Sequence, residues 1–166
     1  MIFVCNTGPL IALAKIHQLS LLQGLGLERV VIPPMVQREL WGKIGPETPV
    51  IELALNSFIQ VMPIEQTDQR IERATSSLDH GEKAVIVLGT LLQGDVVLLM
   101  DDLEGRRVAR ELGLPVLGTA GLLLLTKQRG LIDKVIPLVD SIRQQGYWLS
   151  DTLVSEVQRL AGEQEA

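Results

Sequence analysis

The chain has 166 residues, of which 46% are apolar, 3% aromatic and 21% charged. Such a length and apolar content suit one compact domain over residues 1–166, and they exclude a mainly disordered chain or a pair of ordinary domains. The net charge of −5 excludes gripping nucleic acid by bulk positive charge, so contact of that kind would rest on a local basic patch or a bridging metal.

Short apolar runs alternate with amphipathic stretches along the chain. Ile2-Phe3-Val4-Cys5 predicts a buried strand, and Leu10 to Lys15 and Leu19 to Gly24 predict two short helices. Val30-Val31-Ile32 predicts a second strand, stopped by Pro33-Pro34. Met35 to Trp41 follows as a helix with Pro34 in its first turn. Gly42 to Pro49 reads as a loop, Ile51 to Asn56 as a weak helix and Phe58 to Met62 as a third strand. A polar helix over Thr67 to Ser76 precedes an apolar one over Gly81 to Leu92. Val96 to Met100 predicts the fourth strand, Leu103 to Leu112 a helix closed by Gly113, and Val116-Leu117 a short fifth strand. Ala120 to Arg129, Lys134 to Gln145 and Asp151 to Ala161 are the last helices, those from about residue 134 to 161 expected to pack on the core. Apolar strands separated by helices predict an α/β fold whose parallel sheet is covered on both faces. The scarcity of aromatic residues points the same way, away from a β-sandwich.

One cysteine, Cys5, excludes an internal disulfide and fits a reducing compartment. No leader is apparent: Met1-Ile2-Phe3-Val4 lacks a basic region and Asn6 interrupts the run. The longest apolar stretch, Ala84 to Met100, contains Gly89, Gln93, Gly94 and Asp95 and so breaks into two elements, short of the ~20 apolar residues a spanning helix needs. The expectation is a cytoplasmic protein with no membrane segment.

Ligands of parallel sheets bind beyond the carboxyl ends of the strands. Asn6-Thr7 follows the first strand, Glu39 sits on the helix after the second, and Asp101-Asp102 follows the fourth. Asp79-His80-Gly81-Glu82 opens the helix before the fourth. Convergent carboxylates repel one another unless a cation is present, and hard divalent ions take oxygen ligands. Each residue also has a plainer reading. Asp79 and Glu82 match a capping box, either Asp101 or Asp102 suits an N-cap, Glu39 suits a solvated helix face, and Asn6-Thr7 suits a turn.

Taken in order, Asn-Thr-Gly-Pro-Leu-Ile-Ala-Leu from Asn6, Val-Ile-Pro-Pro-Met-Val-Gln-Arg-Glu-Leu from Val31, Leu-Asp-His-Gly-Glu-Lys-Ala from Leu78 and Leu-Leu-Met-Asp-Asp-Leu-Glu-Gly-Arg-Arg from Leu98 resemble a PIN domain. The resemblance covers nearly the whole chain and is closest to a predicted nucleic-acid-binding branch similar to VapC-like toxins. It implies a three-layer α/β/α fold with about five parallel strands. It also implies a metal-dependent endoribonuclease, the toxin half of a toxin–antitoxin pair. Its catalytic set maps onto Asn6, Glu39, Glu82, Asp101 and Asp102, with Glu39, Glu82 and the aspartate pair as metal ligands. The family's first acid is ordinarily aspartate. Asn6 keeps a carbonyl oxygen but brings no charge, so Mg²⁺ or Mn²⁺ is expected to bind weakly. Glu82 stands where many relatives carry aspartate, and either Asp101 or Asp102 suits the ligand role.

Thr7, Arg106, Arg107 and Arg110 are the expected substrate contacts, Arg106 and Arg110 sharing a helix face. The plainer account pairs these arginines with Glu104 and Glu111. His17 and His80 show no metal-ligand spacing, and no P-loop, dinucleotide loop or nucleophile elbow is present. The expected partners are an RNA substrate, a small antitoxin protein and a second copy of the chain. Four consecutive leucines, Leu122 to Leu125, suggest either a helix wedged inside the fold or a dimer face. The alternative function is a catalytically weakened module, crippled at Asn6, that binds RNA or a protein partner.

Overall fold

Every side chain of Ile2-Phe3-Val4-Cys5 is buried, and these residues form the central strand of a five-stranded sheet. The computed structural model describes residues 1–164. In chain order the elements are β1 (Ile2–Cys5), α1 (Thr7–Lys15), α2 (Ser20–Gly24), β2 (Arg29–Ile32), α3 (Pro34–Gly42), α4 (Thr48–Leu55), β3 (Ile59–Val61) and α5 (Gln69–Ala74). They continue with α6 (His80–Leu91), β4 (Val96–Leu99), α7 (Leu103–Glu111), β5 (Val116–Leu117), α8 (Thr119–Gln128), α9 (Ile136–Gln144) and α10 (Asp151–Ala161). The strand order is β3-β2-β1-β4-β5 and every pairing is parallel. Helices flank the sheet, giving the three-layer α/β/α arrangement. Burial of β1 and β4 along their whole length is what coverage on both faces requires.

Several helix ends differ from the sequence expectation for identifiable reasons. The first helix begins at Thr7 rather than Leu10, because Pro9 falls in the first turn, where its missing N–H has no partner to lose. For the same reason α4 starts at Thr48 ahead of Pro49. The polar helix is shorter, Gln69–Ala74, since the Asp68 side chain caps it by accepting from the Arg70 N–H at 2.6 Å. At the far end of α1 the chain turns through His17 in the left-handed region (φ 55°). There the His17 N–H donates to the Ala14 carbonyl and the Gln18 N–H to the Leu13 carbonyl, closing a Schellman motif.

The run Ala84 to Met100 divides between α6 and β4, with Gly94 at φ 102° in the turn. Among the described residues no helix is long and apolar enough to cross a membrane. Leu122 and Leu123 are fully buried, and Leu124 and Leu125 pack against the core. Helix α8 lies against α1, β5 and α10, so the four leucines are covered within the chain and no longer argue for a dimer face. Val135, Val139, Ile142 and Val157 bring α9 and α10 onto the same core.

Candidate active site

The direction of chain travel across the sheet reverses between β1 and β4, and open α/β sheets carry their crevice at such a point. Cys5 is in register with Leu99, and the Asn6 N–H extends the ladder by donating to the Leu99 carbonyl at 2.9 Å. Asn6 and the Asp101-Asp102 pair therefore leave the sheet side by side. Helices α3 and α6 pack together and bring Glu39 and Glu82 to the same end.

The result is a pocket of about 230 Å³ whose wall includes Asn6, Thr7, Glu39, Glu82, Asp101 and Asp102. Asp79, Lys43 and Tyr147 complete its polar lining. Five carboxylates thus face one small space, with Lys43 the only cation on the wall among the described residues.

Asn6 occupies the N-cap position of α1 yet makes no side-chain cap bond. The residue is 9% exposed, and its Oδ1 is buried without a hydrogen-bond partner among the described residues. A buried oxygen left this way costs about 1–3 kcal/mol unless something outside the chain satisfies it. The expected substrate contact Thr7 instead holds a neighbour: its hydroxyl donates to Glu39 Oε2 at 2.5 Å. Glu39 also lies directly over Gly81, where any Cβ would overlap the carboxylate.

Glu82 and Asp79 form the capping box of α6. The Glu82 N–H donates to Asp79 Oδ1 at 2.9 Å, and the Asp79 N–H donates to Glu82 Oε2 at 3.3 Å. Burial first, then the charges of Asp79 and Asp102, push the Glu82 carboxyl up to about 7. The capping role and the pocket position coexist in one residue, as they do in Asp102. Its Oδ2 accepts from the Gly105 N–H at 2.7 Å and caps α7 while the residue lines the pocket.

Asp101 is engaged differently. It accepts from the Thr119 N–H at 2.7 Å, from the Thr119 hydroxyl at 2.6 Å and from the Tyr147 hydroxyl. Burial, reinforced by Asp101, raises the Tyr147 phenol above its ordinary range, so it remains a donor. The two aspartates, equivalent candidates in the sequence, are thus distinguished by their surroundings: Asp101 is lashed to β5–α8 and the C-terminal segment, whereas Asp102 makes one capping bond.

The three arginines separate. Arg106 is half-buried and lines an adjoining cleft that shares Asp101 and Asp102 with the acidic pocket. Burial and then Arg110 pull its guanidinium below the ordinary value, against Asp101. Arg107 is exposed and pairs with Glu104 and Glu111, while Arg110 is exposed and lines neither pocket. The solvated-face account therefore describes Arg107. Tyr147, Trp148 and Lys43 were absent from the sequence reading. One signal was available for the first two: they are adjacent, and they are two of only five aromatic residues in the chain.

Among the described residues, no three Asp, Glu, His or Cys side chains stand close enough together to make a ready metal cage. The donor chemistry nonetheless suits a hard divalent cation, being oxygen throughout and including the orphaned Asn6 Oδ1.

A family model, DUF3368, described as a PIN domain, matches residues 2–163. Comparison with curated proteins finds no match. The model spans nearly the whole chain, and the five-stranded parallel sheet flanked by helices is the architecture it implies: the protein belongs to the PIN-domain family.

Proposed function

We propose that this protein is a single-domain, divalent-metal-dependent endoribonuclease that acts as the toxin component of a toxin–antitoxin pair in the cytoplasm. The PIN domain is a nuclease-type fold, which implies a nucleic-acid substrate. The observation that carries the reading is the unsatisfied Asn6 Oδ1 in the wall of a carboxylate-lined pocket at the β1–β4 crevice.

Asn6, Glu39, Glu82 and the Asp101/Asp102 pair would hold Mg²⁺ or Mn²⁺. When bound, the cation would offset the charge of a phosphodiester and lower the pKa of water enough for it to act as a nucleophile near neutral pH. The chain's own contribution is positioning. Thr7 fixes the Glu39 carboxylate, the capping box fixes Glu82, and Thr119 with Tyr147 fixes Asp101. Asn6 supplies an oxygen without charge, so binding of the metal is weak. A small inhibitory protein and a second copy of the chain are the proposed partners.

The test is cleavage of total RNA by the purified chain with Mg²⁺ or Mn²⁺, alongside Glu39→Gln and Asn6→Asp. Cleavage that requires the cation, falls in Glu39→Gln and rises in Asn6→Asp supports the reading. A second reading, an RNA- or protein-binding module with weakened catalysis, draws on the missing charge at Asn6. RNA retained without cleavage by wild type and Asn6→Asp alike would favour it.

A further inference from the structure

Beside the acidic pocket lies a second, larger cleft of about 460 Å³. Its volume falls within the roughly 300–1,000 Å³ typical of ligand pockets. Leu103, Leu149, Leu153 and Trp148 give it apolar walls, and Arg106 adds a cation. Two of these apolar side chains are far from buried: Leu103 is 78% exposed and Trp148 79%. The Nε of Arg106 is buried with no hydrogen-bond partner among the described residues.

Position tells what this cleft is for. Asp101 and Asp102 line both spaces, so the two adjoin along this pair. Consecutive residues of one segment divide between them: Tyr147 faces the acidic pocket and Trp148 the cleft. The Tyr147 hydroxyl bond to Asp101 anchors that segment, so the backbone carrying the indole stays next to the carboxylates. An exposed indole, aliphatic walls and a guanidinium beside an anion-handling site form the chemistry that receives an unpaired base together with its phosphate. A base paired within a duplex has no free face to offer.

We infer that the cleft between α7 and the segment 147–153 is a base-stacking subsite, in which Trp148 receives an unpaired nucleobase of a single-stranded RNA and Arg106 its phosphate, next to the phosphodiester held at the acidic pocket. The inference rests on the nuclease reading for the identity of the strand. It goes beyond that reading in assigning this cleft to the base, with Trp148 as the group that stacks on it and Arg106 as the group that meets its phosphate.

The experiment uses the full chain carrying Trp41→Phe, so that Trp148 is the only indole left to report. Fluorescence is followed on adding a single-stranded RNA of about ten nucleotides, within the range of single-strand binding sites. The same strand in a duplex and a version with abasic positions are compared, each with Mg²⁺ and again in EDTA. The expected result is quenching by the single strand, with none by the duplex or the abasic strand. Trp148→Ala should weaken RNA affinity by about 5- to 150-fold, the span expected for one stacked base, while Trp148→Phe keeps most of it. Quenching without cleavage leaves the subsite standing and removes the nuclease reading. Cleavage with an unchanged KM in Trp148→Ala, and no quenching in either condition, overturns the subsite and leaves the nuclease reading intact. Self-association that Trp148→Ala abolishes, with no response to RNA, overturns it in favour of a face for a second copy.

Discussion

Tyr147 donates its hydroxyl hydrogen bond to Oδ2 of Asp101, joining positions 46 residues apart and closing the C-terminal segment over the end of the sheet. Thr119 supplies the other two donors to the same carboxylate. A carboxylate served by three donors is held still. Tyr147→Phe keeps the ring and removes one donor. Its expected cost is about 1.5–3 kcal/mol, the usual worth of a hydrogen bond to a charged group, read as a lower urea midpoint at unchanged m-value. An unchanged midpoint would show that the two Thr119 donors suffice.

Gly81 bears on Glu39 of α3 rather than on the carboxylate of Glu82, its neighbour in α6. A Cβ at this position would overlap the Glu39 carboxylate, whose flexible end can swing away from Thr7. Replacing glycine by alanine in a helix is itself mildly favourable. Gly81→Ala should therefore leave stability within about 1 kcal/mol of wild type. Loss of a supporting contact of this kind weakens metal affinity by about 10- to 100-fold, which calorimetric Mn²⁺ titration would detect. Unaltered Mn²⁺ binding would remove Glu39 from the proposed ligand set.

Acidity sets a second test. Burial and the charges of Asp79 and Asp102 raise Glu82 from an ordinary 4.5 to about 7. Between those values the folded chain keeps a proton that the unfolded chain has released. Stability of the metal-free protein should accordingly fall as pH rises through this window. Glu82→Gln retains a capping-box partner for Asp79 and carries no charge. The variant should show a flatter stability–pH curve and exceed wild type above about pH 7, by chemical denaturation across the range. Parallel curves for the two proteins would mean that Glu82 is not strained by its neighbours.

Glu163 provides the opposite sign. Its carboxylate accepts from Lys127 at 2.8 Å and from the N–H groups of Val135 and Ile136 at 2.7 and 2.9 Å, so the end of the chain caps the start of α9. Burial pushes this carboxyl up, but Lys127 and the two N–H groups outweigh it and hold it below its ordinary value. Glu163→Ala should cost about 1.5–3 kcal/mol near neutral pH. For a depressed carboxyl the contribution is present above the unfolded value and lost as pH falls through the folded one. The gap between wild type and variant should thus close on acidification below about pH 4.5, and a constant gap would assign the loss to packing alone.

Periodicity determined the α/β class and most of the elements. The four-residue run Ile2 to Cys5 and the helix Asp151 to Ala161 have the observed limits, because apolar continuity and a clear N-cap at Ser150 are local properties. The motif order also brought out Asn6, Glu39, Glu82 and the aspartate pair: Asn6 and the aspartates follow parallel strands and so emerge at one edge of the sheet, whereas Glu39 and Glu82 reach it through the packing of α3 on α6. Other features depend on contacts between distant positions and leave no local mark. The start of α9 is one, because its cap is Glu163, far along the chain. The division between Asp101 and Asp102 is another: adjacent and chemically identical, they are told apart by Thr119 and Tyr147, which only the folded chain brings to one of them. The same closure sets Trp148 and Arg106 in the wall of one cleft, whereas the pairing of Arg107 with Glu104 and Glu111 is local to α7 and legible in the sequence. Backbone propensity and hydrophobic pattern are written residue by residue, whereas the partner of a buried polar group is chosen by whatever the packed chain places within reach.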